Sequence, residues 1–260
     1  MQQVKQLGIL LGFILEIVTR IVTRYFFALN SDEAKATLQN KGALSKKIKV
    51  ALAPVFMMAV DEYAAQRTYW EGIYLTHYGM AADFGEVTVP EKPTVGKWRL
   101  IFILKGLTMN HAAAMYRKIL AAIDPPWQLV QYIDDLDAQI PYNIRTSAES
   151  YALWVRDGQE ADEEFRAQTT SQADPNQLIG VTPLERLVHG AAHFVETKQH
   201  LDEKGITICS GSRNADGCVP CVCSYPDSRE VCVFWYNLGY SFSAGGVRRT
   251  VALPQAAQTA

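Results

Sequence analysis

All five cysteines of this 260-residue chain, Cys209, Cys218, Cys221, Cys223 and Cys232, fall between residues 209 and 232. Thiolates at Cys218-x-x-Cys221, with Cys223 close behind and Cys232 on the next segment, are of the type that holds a tetrahedral zinc ion. The spacing fits that geometry poorly. Cys221 and Cys223 are separated by one residue, which puts both on the same face of an extended chain, and Cys232 has no x-x-Cys partner. Reactive thiols and small apolar fillers remain as alternatives. A secreted disulfide framework does not fit an odd number of cysteines without a cleavable signal.

His189 and His193 stand four apart in an apolar-periodic stretch, the spacing at which two imidazoles share a metal on one helical face. The metalloprotease motif needs Glu directly after the first His, and Gly190 stands there. The expected reading is a solvated helix face, with Glu185, Glu196 and His200 on the same side. Asp134-Asp135-Leu136-Asp137 lacks the glycine turn and terminal Glu of a calcium loop, so capping or a solvated acidic turn is expected. Ser210-Gly211-Ser212 resembles a phosphate loop in composition only, and Gly211 and Gly217 are expected in turns.

The segment Glu230-Val231-Cys232-Val233-Phe234-Trp235-Tyr236 reads as a strand. Alternation places Val231, Val233 and Trp235 on one face and Cys232, Phe234 and Tyr236 on the other. If the second face is open to solvent, its aromatics together with Asn237, Tyr240 and Phe242 form a recognition surface of adaptable side chains. If it is covered, they are core.

These groups are carried on recognisable elements. Residues 2–67 read as helical, with turn signals at Asn30-Ser31-Asp32 and Asn40-Lys41-Gly42 and a helix start or kink at Pro54. Residues 69–96, broken by Gly72, Gly79, Gly85, Pro90 and Pro93, read as a connector. Trp98–Leu104 is a buried strand, Thr108 caps a helix to about Ala122, and further strands follow at Trp127–Ile133 and Tyr151–Val155. Residues 168–176 read as a polar loop. Thr182-Pro183 starts a second helix with the stripe Leu184, Leu187, Val188, Ala191 and Val195. Short strands run from Ile206 to the end. The fold class is α+β: a helical N-terminal region and connector at 1–95, a domain of two helices and short antiparallel strands at 96–254, and a tail at 255–260.

With 25 basic and 27 acidic residues and a net charge of −2, the chain offers no phosphate-neutralising surface, so no nucleic-acid partner is expected. The apolar run Leu7–Leu15 is interrupted by Glu16, Arg20 and Arg24, too short for a membrane span and without a cleavage site. A cytoplasmic location is the expectation that follows.

Several short blocks resemble the variable proteins of diversity-generating retroelements of the candidate-phylum bacterial type. They are Lys105–Thr108, Tyr132–Asp137, Ala152–Asp157, Glu160–Glu164, Leu184–Leu187 and Cys209–Arg213, continuing through Asp216-Gly217, Val219-Pro220, Trp235 and Arg248 to Val251. The resemblance implies a C-type-lectin-like domain, related in fold to formylglycine-generating enzymes, in which adenine positions of selected codons are randomised over about residues 209–251. It implies that Asn214, Cys218, Cys221, Cys223, Cys232, Phe234, Tyr236, Asn237, Tyr240 and Phe242 form a diversified, partly exposed ligand-binding face. Cys209, Arg213 and Trp235 would then be scaffold. The expected activity is binding of a macromolecular ligand, a protein, with no cofactor and no reaction. The alternative is a metal- or thiol-dependent enzyme built on the cysteine cluster.

Overall fold

The computed structural model of the chain describes residues 62–165, 180–237 and 243–255. The expected N-terminal helices up to residue 61, the Leu7–Leu15 run, the 168–176 loop, the last five residues, Tyr240 and Phe242 lie outside these. Contacts divide the chain into two units, Met1–Glu62 and Tyr63–Ala260, and the second is described below.

It starts with α1 (Ala64–Ile73), which runs on into a π turn, Tyr74–Tyr78, closed by Gly79 in the left-handed region at φ 66°. The segment 69–96, expected to be a connector, therefore contributes core: Trp70, Tyr74, Tyr78 and Phe84 are all buried. Its work is visible at the first strand, β1 (Trp98–Ile103). β1 is the edge of a three-stranded sheet with β4 (Tyr151–Arg156) and β10 (Thr250–Ala252), in the order β1-β4-β10. An edge strand leaves alternate carbonyls unpaired. Here Trp70 Nε1 donates to the Leu100 carbonyl at 3.0 Å and the Tyr74 hydroxyl to the Phe102 carbonyl at 2.9 Å. The edge is thus closed by side chains instead of a further strand.

Between β1 and β4 come α2 (Met109–Ala121), β2 (Gln128–Gln131), a short turn of helix α3 (Leu136–Gln139) and β3 (Tyr142–Asn143). Thr108 caps α2 as expected, its hydroxyl accepting the His111 N–H at 3.1 Å. The acidic turn caps as well. Asp137 accepts the Met109 and Asn110 N–H groups at 2.8 and 3.0 Å, while Asn110 accepts the Leu136 N–H at 3.0 Å, so α2 and α3 cap each other. After the 3₁₀ turn Glu163–Phe165, α4 (Pro183–Thr197) begins with a capping box between Thr182 and Glu185 and with Pro183 in the first turn.

The remaining strands are β5 (Ile206–Ile208), β6 (Ser212–Arg213), β7 (Val219–Tyr225), β8 (Glu230–Tyr236) and β9 (Gly245–Val247). They build a five-stranded sheet in the order β2-β8-β7-β5-β9, with β3 and β6 as a separate pair. The architecture is α+β. The short strands of the domain were expected to be antiparallel. β5 with β7 and β7 with β8 are, whereas β2 runs parallel to β8 and β5 parallel to β9; β1 belongs to the three-stranded sheet, which the C-terminal β10 also joins. A parallel neighbour requires a long crossover, and the chain from Gln131 to Glu230, which includes α4, supplies it. Both α2 and α4 pack on the core between the sheets.

Strand alternation divides the five-stranded sheet into two faces. Leu129, Val222, Val231 and Val233 enter the main core. Ile208, Val219, Cys221 and Val247 form a second cluster on the opposite face, with Ile206, Phe234 and Tyr236 packed against it.

Candidate functional site

The register of β7 and β8 sets out the second face residue by residue. Val219 faces Tyr236, Cys221 faces Phe234 and Cys223 faces Cys232. At the open end of the hairpin, Asn214 accepts the Cys218 N–H at 2.7 Å and the Asp216 N–H at 3.0 Å, and the Cys218 thiol donates to Asn237 Oδ1 at 3.1 Å. The eight described residues from the expected binding set are therefore contiguous. Trp235 packs against the main core, the side that alternation assigned to it.

Exposure divides the set. Asn237 is exposed and Phe234 and Tyr236 are half-buried, their rings edge-to-face with centroids 5.1 Å apart. Asn214, Cys218, Cys221, Cys223 and Cys232 are buried, with Cys221 wholly so. The expectation that the cysteines belong to a partly exposed face is corrected here. A thiol is small, and the larger Phe234 opposite Cys221 and Tyr236 next along the same face of β8 project past it, so the cysteines form the floor and the aromatics the rim. Burial raises the thiols of Cys209 and Cys221 far above the ordinary range and pushes Cys223 to about 11 and Cys232 to about 12. None of these four is an activated nucleophile. Cys209 lies on the main-core side with Val222. Among the described residues no group of three or more His, Cys, Asp or Glu side chains is placed to hold a metal ion.

Beneath the face lies an arrangement that local sequence patterns do not reveal. Asp202, fully buried, binds Arg186 through Nε at 2.9 Å and Nη2 at 2.8 Å, Arg248 Nη2 at 2.9 Å, and the Thr207 hydroxyl. Burial alone would raise the Asp202 carboxyl, but Arg186 and Arg248 hold it below the ordinary carboxylate range. Arg248 also donates to the carbonyls of Arg156, Gly158 and Gln159, tying the β9–β10 corner to the end of β4. Gly190 explains the path of Arg186 over α4: an added Cβ would stand 2.5 Å from Arg186 Nη1 and 3.2 Å from Tyr116 Cε1. A second ion pair joins Arg145 to Glu185 at 2.6 and 2.8 Å, with Tyr151 donating to the same carboxylate at 2.9 Å.

The solvated helix face expected around His189 and His193 is not found. Residues 183–194 of α4 are buried all round, because α2 packs on one side and β1 and β7 on others. His189 is 0% exposed, and neither of its ring nitrogens has a hydrogen-bond partner among the described residues. His200 is stacked between Trp127, with ring centroids 3.7 Å apart, and Phe194, at 4.6 Å.

Burial, reinforced by Arg186, Arg248 or Arg99, lowers all three imidazoles, His200 to about 4. The unfolded chain therefore takes up these protons at a higher pH than the folded one. Their contribution to stability is complete above about pH 6.5 and declines as pH falls toward 4. Urea unfolding at a series of pH values should show stability dropping through this window. A flat profile between pH 6.5 and 4.5 would contradict the burial of the three rings.

An open depression of about 650 Å³ between residues 83–88, 146–152 and 253–255 contains none of the expected site residues. Among the described residues no helix is long and apolar enough to cross a membrane. Comparison of the chain with protein-family models, curated proteins and solved structures found no match in any of the three.

Proposed function

We propose that the chain is a binding protein whose recognition surface is the rim of the β7–β8 hairpin, formed by Phe234, Tyr236 and Asn237, and that its ligand is a macromolecule, a protein. The supporting observation is the half-exposed aromatic pair beside exposed Asn237, on a strand whose other face is fixed in the core by Val231 and Val233. Such a rim presents large rigid contact area at little conformational cost, the property binding surfaces draw from aromatic residues. Rigid backbone below and tolerant side chains above is also what a diversified surface on a C-type-lectin-like scaffold needs, in line with the sequence blocks shared with retroelement variable proteins. Under this reading the cysteines pack beneath the ligand and do not touch it.

Tolerance to substitution is the test. Codons 234, 236 and 237 would be randomised together and selected for protease resistance. The expected survivors include polar, small and aromatic residues alike, because a half-exposed side chain contributes little to stability. The same selection at 231 and 233 should return only apolar residues, since emptying such a site costs about 2–5 kcal/mol. Survivors restricted to aromatics at 234 and 236 would make the rim a structural element and end the proposal. The retroelement origin has its own check: a second copy of the 209–251 coding segment at the same locus, differing at template adenines.

A further inference from the structure

The two cysteines at the closed side of this face stand in a relation that the others do not share. Cys223 and Cys232 are direct cross-strand partners in the β7–β8 ladder. The parity of that ladder follows from a neighbouring bond. The Cys209 N–H donates to the Pro220 carbonyl at 2.8 Å, so even-numbered residues of β7 turn their backbone groups toward β5, and Cys221 and Cys223 turn theirs toward β8. The Cys223–Cys232 pair is therefore of the hydrogen-bonded class, with Cα atoms about 5.5 Å apart. Disulfides use Cα separations of about 4.4–6.8 Å. No other two cysteines are direct cross-strand partners: Cys221 faces Phe234, Cys218 is bound to Asn237, and Cys209 lies on the opposite face.

The cover over the pair is thin. Each thiol is 1% exposed, yet the adjacent residue on this face is Tyr225, itself 46% exposed, whose hydroxyl is hydrogen-bonded to Cys223.

We propose that Cys223 and Cys232 are a reversible disulfide-forming pair, oxidised by a small-molecule disulfide such as oxidised glutathione. The thiolate of Cys223 attacks the small disulfide and forms a mixed disulfide, and one small thiolate leaves and takes up a proton. Cys232 then loses its proton to solvent and attacks the cysteine sulfur, expelling the second small thiolate, which is protonated in turn. Two S–H bonds and one S–S bond are broken, and one S–S bond and two S–H bonds are formed. The Cβ atoms must close from roughly 5 Å toward about 3.8 Å, so the bond is strained and an excess of the small thiol removes it. This site is independent of the proposed ligand-binding role.

The test uses the full chain under native conditions with oxidised glutathione, acid trapping and tryptic mass spectrometry. Cleavage after Arg213, Arg229 and Arg248 puts Cys232 on a different peptide from Cys218, Cys221 and Cys223. The expected product is a cross-link between those two peptides that is retained in Cys218→Ser and Cys221→Ser and lost in Cys223→Ser. Its rate should rise about tenfold per pH unit between pH 7.5 and 9.5, as the thiolate fraction grows. Tyr225→Ala should speed it several-fold. No cross-link in the unmodified protein at pH 9.5, a mixed disulfide that never closes, or a link that survives Cys223→Ser would each overturn the proposal.

Discussion

Asp202→Ala is expected to remove about 3–5 kcal/mol from the stability of the Tyr63–Ala260 unit. A domain of this class has about 5–15 kcal/mol in total, and Tm should fall on the order of 10 °C. The magnitude follows from what the carboxylate leaves behind. Arg186 and Arg248 are each 0% exposed, and Asp202 is their shared counter-ion, so truncation strands two guanidinium groups without compensation. Surface pairs behave otherwise: Lys105–Glu149, with side chains 61% and 77% exposed, sits in solvent that screens it. Urea unfolding of Asp202→Ala beside Glu149→Ala separates the two cases, the second losing under about 1 kcal/mol. The triple variant Asp202→Leu, Arg186→Met, Arg248→Met should recover much of the loss, because it removes the stranded charges along with the carboxylate. A loss under about 1 kcal/mol for Asp202→Ala would show that the network is solvated.

The sign of the pH dependence is set by the same carboxylate. Its folded pKa lies below the unfolded value, so its contribution is present above about pH 4 and is lost as pH falls through the lower folded value. This loss lies below the window in which the buried histidines act, and acid unfolding should therefore show two successive regions of decline. In Asp202→Asn the lower one should shrink, leaving the part due to Glu196, which Arg99 also holds below the ordinary carboxylate range.

Glu185→Ala is the second large expected effect, again about 3–5 kcal/mol. One side chain here closes the α4 capping box by accepting the Thr182 N–H at 2.8 Å, binds both Nε and Nη2 of Arg145, and accepts from Tyr151. Arg145 is 6% exposed and would remain as a buried cation. Glu185→Gln preserves the shape and the cap but not the charge, so it should lose less than Glu185→Ala. A double-mutant cycle with Arg145→Met measures the pair itself, and a coupling near zero would rule out the ion pair as the source.

Much of this architecture is local in origin and was legible for that reason. Thr108 and Thr182-Pro183-x-Glu185 announce helix starts through side chains that bond within three residues, and the alternation of 231–236 sorts Val231 and Val233 from Phe234 and Tyr236 without reference to the rest of the chain. What could not be read depends on distant partners. The polar stripe of α4, Glu185, Arg186 and His189, looks solvated until Arg145, Asp202 and Arg248 arrive from elsewhere in the chain. The glycine- and proline-broken stretch after Tyr69 looks like a linker because its purpose, giving side-chain donors to the edge of β1, leaves no periodic trace. The burial of the cysteines depends on the size of the side chains around them, which alternation does not report.

The strand pairing also constrains the order in which the chain can fold. Gln128 lies beside Glu230 and Leu153 beside Ala252, so each sheet needs partners from opposite ends of the domain. Until the last strand has left the ribosome, β2 and β4 have no complete sheet to join, and Leu129, Leu153 and Trp154 remain without their final cover. Closing such long loops before any contact repays the entropy makes for slow folding. Only the β1–β4 pair can form early, and both sheets are completed late in synthesis, when β8 and β10 arrive.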